Sequence, residues 1–314
     1  MKSPLVLGND DHVLQTGLRD ARRIELREQT GAFNRVALID QLANNNAYDA
    51  DNQITLRMTG GRNGQIGLSG AAAETIVTDN GIVQEAGNGD IRSNGNRVDL
   101  LITGDFNRFG IRQGGRMNDV GFITINGNEN QLGLRQDGTE NDIVIAAPIE
   151  CAFNIIGIDQ LGTNAAILSL DMASAGDGGA QSDRNSVFIR QDGTNGVTFD
   201  LKGDDNDFRI DQDYDSVGRG GNNVAAISVF GNGNIGLVRQ YGGNLATVEI
   251  FGDNNNNLAA SATAILPVAS VGEFVQDGKG NEASVFVFGD TNIMGTFQSG
   301  DDHRLFMTII GSGN

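Results

Sequence analysis

The chain has 314 residues, of which 45 are glycine, 34 asparagine, 3 proline and 1 cysteine, with no tryptophan. Twenty-two Lys+Arg against 40 Asp+Glu give a net charge of -18, which opposes binding to a nucleic-acid backbone or an anionic lipid surface. The lone Cys151 leaves no material for an intrachain disulfide or a cysteine zinc site. No apolar run approaches the length of a membrane-spanning helix, and the glycines lack the period of collagen.

The N-terminus reads MKSPLVLG, a single lysine before a short apolar patch that is too brief for a secretory signal. Residues 1–10 are expected to form a weakly ordered leader, and a mature chain carrying a start Met is the favoured reading of this end. Val13, Gln15 and Gly17 suggest a first repeat. Asn34 carries Val36 and Leu38; Asn52 carries Ile54, Leu56, Met58 and Gly60; Ile82 and Gln84 suggest a further arm.

From Asn96 onward the repeat is open to inspection. Asn96 carries Val98, Leu100, Ile102 and Gly104, and Asn107 carries Phe109, Ile111, Gln113 and Gly115. The same 11-residue unit returns at Asn130 (Leu132, Leu134, Gln136, Gly138), at Asn154 (ending in Gln160) and at Asn185 (Val187, Ile189, Gln191, Gly193). Asn195 and Asn281 open units ending in Leu201 and Val287. Asn292 opens one ending in Gln298, and His303 the last, with Leu305, Met307 and Ile309.

A spacing of two puts the repeating side chains on one face of a strand, and the glycine that follows permits a tight turn. Two kinds of unit alternate. One ends in glutamine, at Gln113, Gln136, Gln160, Gln191, Gln212, Gln240, Gln276 and Gln298; the other ends in an apolar residue. A pair of units, about 22 residues, makes one strand–turn–strand rung, and rungs stack about 4.8 Å apart across a core about 10 Å thick. The fold class is therefore all-β, a β-solenoid with two parallel sheets and about eleven or twelve rungs. A helix is excluded because the period is 2 and not 3.6. Residues 11–314 read as a single solenoid domain, with inserted loops near 146–153, 171–184, 213–222 and 253–271.

A buried glutamine on alternate strands is inexpensive if the amides stack, each donating to one neighbouring rung and accepting from the other. Gln113, Gln136, Gln160, Gln191, Gln212, Gln240, Gln276 and Gln298 are thus assigned to a structural amide ladder. Asn107, Asn130, Asn154 and Asn185 are expected to do the same beside the turns. The residue before each glutamine (Arg112, Arg135, Asp159, Arg190, Asp211, Arg239) is expected to point outward. In register, the last five of these residues form an alternating charge column that resists slippage, with plain solvated charge as the alternative.

Catalytic constellations are weak. Asp159 and Asp211 are the best candidates for paired carboxylates, yet Arg190 separates them along the chain and surface charge is the simpler reading. Asp204, Asp205 and Asp253 in GDDN and GDNN turns could bind calcium, but the 11-residue period is not that of a calcium-binding nonapeptide. No catalytic, cofactor or metal residue is assigned, no cofactor is expected, and the chain is read as a non-enzyme.

The unit resembles the curlin repeat, S-x5-Q-x4-N-x5-Q. Q-x4-N recurs here as Gln113 to Asn118, Gln136 to Asn141 and Gln276 to Asn281. A form one residue shorter runs from Gln160 to Asn164, Gln191 to Asn195 and Gln240 to Asn244. The leading serine is usually asparagine here, and the second glutamine is usually apolar. The resemblance implies a secreted subunit of extracellular amyloid fibres of the curli type, serving cell adhesion and biofilm matrix. It also implies self-association as partner, and a nucleator or secretion machinery. Growth would be head-to-tail strand addition, with Leu305, Met307 and Ile309 as the polymerisation edge. The alternative is a monomeric solenoid adhesin or binding module that displays its inserted loops.

Overall fold

The computed structural model describes residues 13–14, 22–30, 33–41, 52–85, 95–146, 148–149, 152–170, 184–213, 222–256 and 272–313. The leader, Gln15, Gly17, Cys151 and most of the expected loops at 171–184, 213–222 and 253–271 lie outside the described residues; at 146–153 the expected loop is corrected at Ile149, which is buried and bridges Ile125 in parallel. Among the described residues there are twenty strands and one short helix. Every strand pairing with a stated register is parallel. The chain divides into two compact units, Met1–Thr163 and Asn164–Asn314.

The first unit holds β1 (Val13–Leu14), β2 (Arg22–Thr30), β3 (Leu38–Gln41), β4 (Asn52–Thr59), α1 (Gly70–Glu74), β5 (Gly81–Glu85), β6 (Arg97–Thr103), β7 (Arg108–Arg116), β8 (Asp119–Ile125), β9 (Gln131–Thr139), β10 (Asp142–Ile145) and β11 (Ile155–Gly162). Each strand pairs with the strand two places on. One arm therefore runs β1-β3-β5-β7-β9-β11 and the other β2-β4-β6-β8-β10. This is the winding of a solenoid, in which consecutive strands lie in opposite sheets and every second strand stacks.

The second unit holds β12 (Ala165–Leu170), β13 (Ser186–Gly193), β14 (Gly196–Lys202), β15 (Asp207–Asp213), β16 (Val224–Phe230), β17 (Ile235–Phe251), β18 (Glu273–Phe288), β19 (Thr296–Ser299) and β20 (Arg304–Ile310). Here β17 and β18 each run through both arms without a break, and their mutual register shifts between Gly243 and Leu245. The glutamine arm is β13-β15-β17-β18-β19, and the apolar arm is β12-β14-β16-β17-β18-β20.

Stacked positions are chemically alike. Leu170, Leu201, Val229, Ile250, Val287 and Ile309 form one registered column. Met58, Ile102 and Ile125 form its counterpart in the first unit. Between the arms Phe109, Ile111, Leu132, Leu134, Phe199 and Phe208 are buried. The second unit's Phe199 and Phe208 meet at 5.6 Å between ring centroids.

Three features differ from the repeat-based expectation. In β3 the inward residue is Ile39, paired with Ile82, whereas Leu38 is only half-buried. One extra residue before the strand moves the face by one position. In β8 the same effect turns Phe122 outward, 64% exposed, and the register with β6 shifts at Val98/Asp99. Finally, α1 is a helix in a chain read as having none. It packs on β9 and β11, over two outward-facing glycines of the glutamine arm and its neighbourhood. A Cβ added at Gly133 would lie 2.1 Å from the Ala72 carbonyl oxygen, and one added at Gly110 would lie 2.5 Å from Val77. The bare glycine column is what lets the segment lie flat on the sheet.

Candidate functional site: the amide ladders and the terminal edge

The glutamines of each unit form a continuous wire. In the first unit Gln84 Nε2 donates to Gln113 Oε1 at 2.8 Å, Gln113 to Gln136 at 2.9 Å and Gln136 to Gln160 at 3.1 Å. In the second, Gln191 donates to Gln212 at 3.0 Å, Gln212 to Gln240 at 2.8 Å, and Gln240 to Gln276 and Gln276 to Gln298 at 2.9 Å each. All seven bonds run in the same sense, from the earlier residue to the later. Each amide nitrogen also crosses the core to a carbonyl of the facing arm. Examples are Gln136 to Asp119 O at 3.0 Å, Gln212 to Gly196 O at 3.2 Å and Gln298 to Glu282 O at 3.1 Å.

This crossing gives the Q-x4-N spacing a geometric meaning. Gln113 Nε2 donates to the Asn118 carbonyl at 2.8 Å, and Gln136 Nε2 to the Asn141 carbonyl at 3.0 Å. Five residues carry the chain around the turn and bring that carbonyl back over the amide. The shorter Q-x3-N turn closes differently. Asn195 Nδ2 donates to the Asp192 carbonyl and Asn244 Nδ2 to the Tyr241 carbonyl, both at 2.8 Å.

The asparagines are turn clamps of another design. The main-chain N–H of each donates to the Oδ1 of its counterpart one rung earlier. In the first unit Asn107 donates to Asn63 at 2.8 Å, Asn130 to Asn107 at 3.0 Å and Asn154 to Asn130 at 3.1 Å. In the second, Asn185 Oδ1 accepts from Asn206 N–H at 3.0 Å. The clamp nitrogen donates forward to a turn glycine carbonyl, as from Asn107 to Gly127 at 2.7 Å and from Asn185 to Gly203 at 2.9 Å. Asn63 and Asn255 belong to the same clamps, although the repeat reading assigned them no unit.

A third ladder lies on the turns themselves. Gly61 N–H donates to Asp105 Oδ1 at 2.6 Å, and Asp105 N–H to Asn128 Oδ1 at 2.7 Å. In the second unit Asp204 N–H donates to Asn232 at 2.7 Å, Asn232 to Asp253 at 2.7 Å and Asp253 to Asp290 at 2.8 Å. Its sequence signal is the recurring Gly-(Asp/Asn)-x-Asn. Of the turn carboxylates considered for calcium, Asp253 accepts the Asn232 main-chain N–H, while Asp204 joins the ladder through its own main-chain N–H. Asp205 is held by Arg184 at 2.6 Å and 2.7 Å, which draws its carboxyl below the ordinary range. Among the described residues no three potential ligands group closely enough to hold a metal ion.

The expected charge column stacks in register, as Arg112, Arg135 and Asp159 in the first unit and as Arg190, Asp211 and Arg239 in the second, but the reading of its carboxylates as surface charge needs correction. Asp159 and Asp211 do not project into solvent; they are 6% and 7% exposed. Stacked arginines cover them. Arg135 lies 3.7 Å from Asp159. Asp211 takes Arg209 at 2.9 Å and Arg239 at 3.9 Å. Each carboxylate therefore sits in an ion pair inside its own unit.

The expected polymerisation edge is β20. Leu305, Met307 and Ile309 stack on Ala283, Val285 and Val287 of β18 and are half-buried. The alternate residues Phe306 and Ile310 are 82% and 77% exposed. Among the described residues no strand pairs with the outer side of β20. Among the described residues Gln298, on β19, is the last amide of its wire.

No protein-family model, no curated protein and no solved structure matches this chain. No helix among the described residues is long and apolar enough to cross a membrane.

Proposed function

We propose that this chain is a secreted structural subunit that polymerises head-to-tail into extracellular fibres of the curli type, serving adhesion and biofilm matrix. The observation that carries the reading is the one-way polarity of the second unit's amide wire, which ends at Gln298 of β19, together with the outer edge of β20, on which no described strand pairs. Such an edge offers unpaired main-chain groups and a side-chain donor to the first rung of a second copy. The half-buried Leu305, Met307 and Ile309 supply the apolar floor for that added rung. Secretion and the matrix role rest on the curlin resemblance of the repeat.

The test places charge on the floor. Met307→Lys with Ile309→Lys puts two ammonium groups where the next rung would sit, a device that blunts strand edges. The double variant is expected to keep the strand circular dichroism of the parent and to lose assembly followed by sedimentation velocity. Assembly at the parental rate would refute growth from this edge.

A further inference from the structure

One corner of the first unit carries a row of aromatic side chains that the fold does not require. The residues immediately before the clamp asparagines Asn34, Asn63, Asn107, Asn130 and Asn154 are Phe33, Arg62, Phe106, Glu129 and Phe153. The clamp bonds stack these turns one above another. All five residues are left-handed, with φ of 65, 60, 59, 58 and 63°. Phenylalanine thus occupies the first, third and fifth rungs of the row, separated by two strand spacings, about 9.6 Å.

These are poor positions for phenylalanine. A bulky side chain is disfavoured at positive φ, and Phe33 and Phe153 remain 64% and 47% exposed. In the second unit the same turn position is filled by Arg184, Asp205, Gly233, Asn254 and Thr291, with φ between 56 and 64°. A polar residue or glycine therefore meets the structural need. Between the rings lie one cation and one anion. The Arg62 guanidinium lies 5.3 Å from the Phe106 ring centroid, and Glu129 follows one rung later.

We propose that this row is a binding strip for an uncharged, extended β-1,4-linked polysaccharide. Successive sugars of such a chain are flipped, so the same apolar C–H face recurs once per disaccharide, close to two rung spacings. Rings at that interval stack on equivalent faces, while Arg62 and Glu129 reach the intervening hydroxyls. The strip is locally balanced in charge, and the chain's net -18 repels anionic polymers. Cellulose-type and chitin-type chains share the repeat. The inference is independent of fibre formation.

Freshly desalted monomeric full-length chain would be mixed with insoluble cellulose, with chitin and with α-linked starch granules, and depletion from the supernatant measured against a polysaccharide-free control. Retention by cellulose or chitin and not by starch is expected. The triple Phe33→Asn, Phe106→Asn, Phe153→Asn variant should lose at least tenfold in retention. Its unfolding midpoint should be unchanged or raised, because asparagine tolerates this conformation. The tyrosine triple should still bind. A register variant, Phe106→Asn with Glu129→Phe, keeps the number of rings, breaks their interval and should also lose retention. Equal retention by starch, no retention by either β-linked polymer, or parental binding by the asparagine triple or the register variant would overturn the proposal.

Discussion

A single ladder glutamine illustrates how much rests on one side chain. Gln136 is fully buried, accepts from Gln113 and donates to Gln160 and to two carbonyls of the facing arm. Gln136→Leu keeps the volume and abandons those partners, each at a cost of about 1–3 kcal/mol when left buried and unpaired. A marked fall in the urea midpoint is expected, larger than for Gln298→Leu, where the wire simply ends one rung earlier. Equal small effects at both positions would mean the wire carries little stability. Asp119 carries a different cost. It stacks on Asp142 in register, and burial, opposed by Arg97 and reinforced by Asp142 and Asp99, pushes its carboxyl above the ordinary 3.8. Asp142 is pushed the same way by burial. A folded-state pKa above the unfolded value means stability is fully present below the unfolded value and is lost as pH rises through the folded one. Asp119→Asn should therefore raise the neutral-pH unfolding midpoint, with the gain vanishing under acid conditions where the parent carboxyl is protonated. An equal gain at both pH values would assign the effect to something other than charge.

At the scale of elements, the turns carry most of the specification. Gly231 has φ of 133°, and a Cβ built on it would lie 2.1 Å from the Gly252 carbonyl oxygen one rung on. Gly231→Ala meets both backbone strain and a main-chain collision that cannot relax without parting the rungs. It should cost several-fold more in unfolding midpoint than Gly196→Ala, where the added methyl meets nothing within 4 Å. Similar small effects at both sites would show that the rungs are not closely coupled. The turn-and-strand alternation was legible in the sequence because stacking forces like residues to the same step of each unit. The glutamine column and apolar column follow directly from that periodicity. Legibility failed where one residue was added without a turn signal, as before Ile39 and at Phe122. It also failed for α1, whose segment lies over Gly110 and Gly133, two mid-strand glycines to which the repeat reading gave no role. The turn ladder through Asp105, Asn128, Asp253 and Asp290 was missed because its side chains vary between aspartate and asparagine while only the accepting oxygen matters.

For the whole molecule, like charge governs how copies meet. Each copy carries -18, so the approach of one subunit to another is opposed over roughly a Debye length, about 10 Å at 0.1 M salt. Raising NaCl should accelerate assembly, provided that growth occurs by end addition of these acidic chains. A rate independent of salt would be at odds with that. The outer face of the second unit's apolar arm carries an aromatic column in its last rungs. Phe230, Phe251 and Phe288 stack there at 4.9 and 5.1 Å with nearly parallel rings, in register with Ile310. This column continues in step up to the β20 edge, as a template would require. The most direct measurement is seeded growth at neutral pH: thioflavin T fluorescence of freshly desalted chain with and without preformed seeds, and negative-stain microscopy of the endpoint. Head-to-tail templating predicts that seeds abolish the lag and that the product is thin unbranched fibres. A chain that keeps its strand circular dichroism and stays monomeric in the presence of seeds would contradict the fibre-subunit account.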